Sequence, residues 1–220
     1  MGHKEIMVRV CGAVKRTLPR ICGAAAIVGA CGCGSSTTRP STPTSTSAPS
    51  ALRADVTDPI GDTPSDARVP VAPDLVRATA AVDGGNLTLV VSFAPGTFNR
   101  QTTRVAVLFD TDQNPATGIR QQDGLGADFG LDLFPGGGLA TITRADEAGC
   151  AARQSCFVNV GSASMTILTD GMQAVVPLGA IGAASGRLGF VVNSYVLVAP
   201  LTPVVFDYLP DITLAPARVQ

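Results

Sequence analysis

The chain has 220 residues, of which 45% are hydrophobic and only 15% are charged, and its formal net charge is −1. A chain of this length and composition buries a sizeable core, which excludes a globally disordered protein. The 24 glycines and 16 prolines favour turn-rich β structure over long helices.

The first thirty residues have the pattern of an export signal. Residues 1–20 contain five basic residues against one acid, and residues 21–30 are uncharged and mostly apolar. Ten such residues match the h-region of a signal peptide but are too few to span a bilayer, which needs about 20. The sequence therefore predicts a signal peptide over residues 1–30, starting at either Met1 or Met7.

A cysteine follows this stretch directly, in Val28-Gly29-Ala30-Cys31. The tetrapeptide resembles the lipobox of bacterial lipoproteins, which implies that Cys31 is lipidated with diacylglycerol and palmitate. The protein is then exported and lipid-anchored on the extracytoplasmic side of the cell membrane. Cys33 is a weaker candidate because no aliphatic residue stands at the usual place before it. The alternative is an ordinary secretory signal with a chance cysteine.

Residues 31–50 are predicted to be the lipidated cysteine and a disordered linker. Within residues 35–50, fourteen of sixteen residues are Ser, Thr or Pro. Such a segment has nothing to bury and cannot offset the entropy of ordering. At ~3 Å per residue, it would hold a domain roughly 50 Å from the anchor. It is either a bare linker or one that carries O-linked sugars.

Residues 51–220 are acidic. They contain ten Arg, no Lys, fifteen Asp and one Glu, which gives a net charge of −6. A domain of this charge does not track a phosphate backbone, so nucleic acid is excluded as a partner.

The same residues show the period-two alternation of half-buried strands rather than helical periodicity. Residues 188–198 are largely apolar on both faces, which predicts a central strand. Residues 178–184 are predicted to form one short helical turn. Two hairpin turns are predicted at Asp83-Gly84-Gly85-Asn86 and Thr169-Asp170-Gly171, because Gly and Asn accept positive φ. The predicted fold is all-β, an antiparallel two-sheet β-sandwich of about eight or nine strands.

Five landmarks then follow in order: residues 74–93, 105–118, 126–132, 175–182 and 206–211. This order resembles DOMON-like and family-nine carbohydrate-binding-like β-sandwiches of bacterial exported proteins. The resemblance implies a two-sheet sandwich, some members of which bind sugars or haem. The chain has no Trp on which a pyranose would stack, and its only His is His3, within the signal. No haem is therefore expected.

The densest polar cluster follows the strand that ends at Asp110. Asp110, Asp112 and Asn114 have the i, i+2, i+4 spacing with which a loop can present oxygens to a hard cation, and Asp128 opens the next strand. The predicted calcium ligands are Asp110, Asp112, Asn114 and Asp128. The alternative is a plain turn in which these side chains accept hydrogen bonds from nearby backbone.

Two further features concern other acids and the cysteines. Asp55, Asp58 and Asp62 form a second acidic stretch, which is interpreted as a solvated loop. Cys150 and Cys156 are close in sequence, and in an exported protein this predicts a disulfide. A metal site made of these cysteines alone has too few ligands.

The composition also limits the chemistry. Without His or Lys after the signal, the Ser–His–Asp triad and its lysine variant are excluded, and zinc lacks its usual imidazole ligands. We expect no enzyme, but a non-catalytic binding or interaction module whose ligand is a carbohydrate or another envelope component. One alternative is an envelope lipid carrier or chaperone with an apolar cavity between the sheets. A second is an Asp-dependent glycosidase with two close carboxylates in a cleft.

Overall fold

Antiparallel strands make up most of the part of the chain that the structure describes. This computed structural model describes residues 52–220, except residues 123, 153, 154, 199–201 and 212. The predictions of a signal peptide, of lipidation at Cys31 and of a linker therefore lie outside the described residues.

The described residues form fourteen strands, one short α-helix and two 3₁₀ turns. The strands are β1 (Arg53–Thr57), β2 (Leu75–Asp83), β3 (Asn86–Phe93), β4 (Thr103–Asp110), β5 (Ile119–Gln122), β6 (Leu125–Ala127), β7 (Phe129–Phe134), β8 (Leu139–Ala145), β9 (Phe157–Ser162), β10 (Ser164–Leu168), β11 (Gly171–Pro177), β12 (Leu188–Val198), β13 (Thr202–Leu209) and β14 (Ala217–Val219). Helix α1 is Glu147–Ala151, and the 3₁₀ turns are Pro135–Gly137 and Leu178–Ile181. Among these described helices, none is both long enough and apolar enough to cross a membrane.

The strands form two main sheets and one small hairpin. The smaller main sheet has the order β1-β2-β3-β11-β10. The larger has the order β13-β12-β4-β7-β8-β9, with β14 also paired to β12. Strands β5 and β6 pair only with each other.

The predicted all-β antiparallel sandwich is confirmed. The two predicted hairpins join β2 to β3 and β10 to β11, and β12 lies inside the larger sheet as expected. The short helical turn is also present, at Leu178–Ile181. The described residues contain more strands than the predicted eight or nine because five of them have five residues or fewer. Such strands are too short to show a period in the sequence.

The core lies between the two main sheets. Alternate residues of β3 and β4 point inward and are fully buried, among them Leu89 and Val107. Both sheets contribute to a single cluster of buried apolar side chains. Burying one such side chain stabilises the fold by about 1.5–3 kcal/mol, so this cluster is the main source of stability. It also fixes the strand ends from which the acidic loops emerge.

Candidate functional site

Three predicted calcium ligands converge at one end of the larger sheet. Asp110 ends β4, and Asp128 directly precedes β7, which pairs with β4. The backbone N–H of Asp128 donates to the carbonyl of Phe109 at 2.8 Å, which fixes the two strand ends side by side. As a result, carboxylate oxygens of Asp110, Asp112 and Asp128 lie within 4.8 Å of one another. These residues are called the first acidic cluster below.

Donors within the same loop already bind these carboxylates. Asp128 Oδ2 accepts hydrogen bonds from the backbone N–H and the hydroxyl of Thr111, at 2.9 and 3.1 Å. The N–H of Asn114 donates to Asp112 Oδ1 at 2.8 Å and to Asp110 Oδ1 at 3.1 Å. Each carboxylate of the cluster therefore has a protein partner.

The fourth predicted ligand, Asn114, is engaged in the turn itself. Its Oδ1 accepts from the N–H of Ala116 at 3.1 Å, as in an Asx turn. The Thr117 hydroxyl lies 2.9 Å from both Asp112 Oδ2 and the carbonyl oxygen of Asn114, and its single proton is shared between these two acceptors. The structure thus brings together three of the four predicted side chains and gives the fourth a backbone partner.

The electrostatics of the first acidic cluster favour a proton or a cation. Burial, followed by hydrogen bonding with Asp112, raises the pKa of Asp110. Asp112 and Asp128 line an adjoining surface hollow of about 590 Å³. Arg144 and Glu147 line the same hollow with opposite charges, so the hollow keeps the negative charge of Asp112 and Asp128.

Cys150 and Cys156 form the predicted disulfide, with a Cα–Cα distance of 4.1 Å. The bridge joins the C-terminal part of α1 to the residue before β9. The first turn of α1 is capped by a hydrogen bond from the N–H of Gly149 to Asp146 Oδ1 at 3.0 Å. Ala145, the residue before Asp146, donates its backbone N–H to the carbonyl of Asp128 at 2.8 Å. The disulfide therefore lies in a segment bonded directly to the first acidic cluster.

The second acidic stretch divides into two environments. Asp55 is exposed and forms a salt bridge with Arg77 at 2.6 Å, which lowers the pKa of the carboxyl group. Asp58 and Asp62 instead converge with Asp207, with carboxylate oxygens within 4.8 Å of one another. The interpretation as one solvated loop is wrong for Asp58, because its Oδ2 is buried and has no hydrogen-bond partner. Asp58, Asp62 and Asp207 are called the second acidic cluster below.

Negative charge dominates the second acidic cluster. Burial, and then the charges of Asp62, Asp211 and Asp74, raise the pKa of Asp58 to about 6. Burial also raises the pKa of Asp207 to about 7, assisted by Asp58 and Asp62 and opposed by hydrogen bonds from backbone N–H groups. None of the charged groups that shift these two pKa values is basic.

A groove of about 620 Å³ crosses the outer face of the larger sheet. Its floor contains the small residues Ala106 and Gly130, on the faces of β4 and β7 that point away from the core. A Cβ atom at Gly130 would lie only 2.6 Å from the hydroxyl oxygen of Thr143, so a glycine keeps this part of the floor low. Pro203 and Phe157 line opposite sides of the groove.

Tyr195 and Asp132 give the groove a polar centre. The Tyr195 hydroxyl donates to Asp132 Oδ1 at 2.8 Å, and burial raises the pKa of this phenol. Asn193 and Thr143 supply an amide and a hydroxyl from neighbouring strands. Sequence reasoning missed this site because its residues come from six segments. The available signal was the presence of Ala and Gly on outward strand positions, where longer residues usually shield the sheet.

Comparison of the chain with protein-family models, with curated proteins and with solved structures finds no match in any of the three.

Proposed function

We propose that this protein is an extracytoplasmic, membrane-anchored lipoprotein whose β-sandwich is a non-catalytic binding module. The outer groove of the larger sheet is its ligand site. The groove is the observation on which the proposal rests, because it is concave, mostly apolar and has a few polar groups at its centre. The resemblance to DOMON-like and family-nine carbohydrate-binding-like sandwiches points to the same kind of module.

The chemistry of the groove suits a carbohydrate of the cell envelope. The Tyr195 ring is an apolar surface with a polar edge, and Asp132, Asn193 and Thr143 supply acceptors and donors for sugar hydroxyls. Among the described residues that line the groove, Asp132 is the one carboxylate, whereas hydrolysis by paired carboxylates needs two. A lipid carrier would instead hold its ligand between the sheets, where both sheets contribute to one buried apolar cluster.

A glycan array probed with the full chain tests this function. Ala106→Phe should fill the floor of the groove and abolish glycan binding. The matched control is Ala180→Phe, which adds the same side chain at an exposed position of the 3₁₀ turn Leu178–Ile181. Equal glycan binding by both variants, or release of reducing sugar ends by the wild type, would count against the proposal.

The first acidic cluster is proposed to hold a calcium ion that stabilises the module. Asp110, Asp112 and Asp128 would supply the carboxylates, and carbonyl oxygens or water would complete the shell. Extracellular modules of this kind bind calcium with a Kd of about 10⁻⁴–10⁻³ M. A calcium titration of Asp112→Asn against the wild type tests the assignment.

The lipid anchor is proposed at Cys31. Cys31→Ala should move the protein from the membrane fraction to a soluble fraction, which immunoblotting of separated fractions detects. If the variant remains in the membrane while Cys33 is present, Cys33 or an uncleaved signal is the anchor.

A further inference from the structure

The second acidic cluster lies where the two main sheets meet. Asp58 and Asp62 belong to the loop after β1, in the smaller sheet, whereas Asp207 lies in β13, at the edge of the larger sheet. Asp207 Oδ2 accepts a hydrogen bond from the N–H of Leu75, the first residue of β2, at 2.6 Å. One buried carboxylate therefore joins the two sheets at this point.

A fourth carboxylate, that of Asp74, lies against the same loop. Its Oδ2 atom accepts a hydrogen bond from the N–H of Gly61 at 2.8 Å. Gly61 lies between Asp58 and Asp62 in the sequence. Asp74 is only 3% exposed, yet its other carboxylate oxygen, Oδ1, has no hydrogen-bond partner. The charge of Asp74 reaches Asp58, whose Oδ2 is also buried and unpartnered.

Two unpartnered carboxylate oxygens at one place are unusual for a folded protein. A buried polar atom without a partner costs about 1–3 kcal/mol, and more when it is charged. Neither of the salt bridges found among the described residues involves this cluster. The described residues thus present two unpartnered carboxylate oxygens that take part in neither of these salt bridges.

We propose that Asp58, Asp62 and Asp207, with Asp74 behind them, form a calcium site that fastens the loop after β1 to β13. Calcium takes six to eight oxygen ligands in irregular arrangements, whereas magnesium demands a near-ideal octahedron. The ligands come from a loop and a strand of different sheets, which suits the more tolerant ion. This site is independent of the glycan groove and of the first acidic cluster.

The bound ion would control the attachment of β1. This strand is at the edge of the smaller sheet and pairs there only with β2. It is also held by a pair of backbone hydrogen bonds between Arg53 and Gln220, at 3.2 and 3.3 Å, and by the packing of Ala54 and Val56 against the core. An ion that holds the loop immediately after β1 therefore slows the opening of this edge.

Isothermal titration calorimetry of the full chain with calcium chloride, alongside three Asp→Asn variants, tests the site. Asp62→Asn is the main variant, because Asp62 is exposed and its replacement is expected to leave the fold intact. Asp112→Asn removes one carboxylate of the first acidic cluster and should abolish calcium binding there. The matched control is Asp83→Asn, an exposed carboxylate at the far end of β2, roughly 25 Å from Leu75 at about 3.3 Å per residue.

The expected result is two calcium ions for the wild type and Asp83→Asn, and one ion each for Asp62→Asn and Asp112→Asn. A single ion that only Asp112→Asn removes would overturn this proposal and leave the first calcium site standing. A single ion that only Asp62→Asn removes would support this site and overturn the calcium site proposed at the first acidic cluster. Magnesium that binds the Asp62-dependent site as tightly as calcium would overturn the choice of ion.

Hydrogen exchange provides a second measurement that does not depend on heats of binding. Calcium should slow amide exchange at least tenfold in peptides that cover Asp58–Asp74 of the wild type and of Asp112→Asn. It should have no such effect in Asp62→Asn. Slowing of equal size in Asp62→Asn would overturn the proposal.

Discussion

The first and second acidic clusters have similar carboxylate spacing but opposite hydrogen-bond arrangements. In the first, Thr111 and Asn114 donate to the carboxylates from the same loop. In the second, Asp207 accepts from backbone N–H groups, but Asp58 Oδ2 and the Oδ1 atom of the adjoining Asp74 are buried without a donor. The difference leads us to expect that carboxylate oxygens without a protein partner mark a cation site better than the proximity of carboxylates alone.

The largest expected effect is calcium stabilisation that depends mainly on the second cluster. With a Kd of about 10⁻⁴ M, 10 mM calcium should raise the free energy of unfolding by about 2.7 kcal/mol. For a domain of this size, the melting temperature rises by about 5–10 °C. Asp62→Asn should lose more of this rise than Asp112→Asn, because donors of its own loop already bind Asp112. Circular dichroism melts in calcium and in EDTA measure the rise.

The control in this comparison is Asp83→Asn, which should melt like the wild type in both solutions. If Asp112→Asn loses the whole rise and Asp62→Asn keeps it, the order of the two clusters is reversed, and satisfied hydrogen bonds do not compete with ion binding.

The second-largest effect is expected from removal of the disulfide, which should change the calcium affinity of the first cluster but not of the second. The loop that Cys150 and Cys156 close is short, so replacing both with Ser should lower the free energy of unfolding by about 2 kcal/mol. The segment is bonded to Asp128, so calcium binding at the first cluster should weaken while the second keeps its affinity. Urea denaturation and calorimetry measure the two effects. Equal weakening at both clusters would mean that the bridge acts on the whole sandwich.

The pH dependence without calcium should be smaller and of defined sign. The folded-state pKa values of Asp58 and Asp207, about 6 and 7, exceed the usual unfolded value near 3.9. Between the unfolded pKa near 3.9 and the folded pKa values of about 6 and 7, the folded chain binds more protons than the unfolded chain. The free energy of unfolding therefore falls as the pH rises through this range. Full linkage with these two pKa values corresponds to about 4 kcal/mol between pH 8 and pH 5. Solvent screens the partly exposed Asp58, so in EDTA we expect the free energy of unfolding to be only about 1–2 kcal/mol higher at pH 5 than at pH 8.

Chemical denaturation across this pH range in EDTA measures the effect. Asp207→Asn should remove most of the slope, and saturating calcium should also flatten it. Asp110, whose pKa is raised as well, contributes with the same sign, so Asp110→Asn should remove a smaller share. A larger loss of slope in Asp110→Asn would place the more strained carboxylates in the first cluster.

The sequence predicts the sandwich and the first cluster for a physical reason. Alternation and turn residues are local signals, and the predicted ligands from Asp110 to Asn114 lie within five residues of the chain. Asp207 is separated from Asp58 by most of the domain, and no local pattern links them. The two carboxylates come together through the fold, in which Asp207 of β13 accepts a hydrogen bond from the N–H of Leu75 at the start of β2. The groove was missed for the same reason, since only the register of β4 and β7 places Ala106 opposite Asp132 and Leu108 opposite Gly130.

The smallest expected effect tests Asn114 as turn residue or calcium ligand. Its Oδ1 accepts from the N–H of Ala116, so Asn114→Ala should lower the free energy of unfolding by about 0.5–1 kcal/mol in EDTA. Asn114→Asp keeps an acceptor and should retain most of this stability. If Asn114 serves the turn alone, calcium should bind Asn114→Ala with wild-type affinity in calorimetry. A tenfold loss of calcium affinity at the Asp112-dependent site would instead identify Asn114 as a ligand. In that case the Asx turn has to open when the ion binds, since Asn114 Oδ1 now accepts from Ala116.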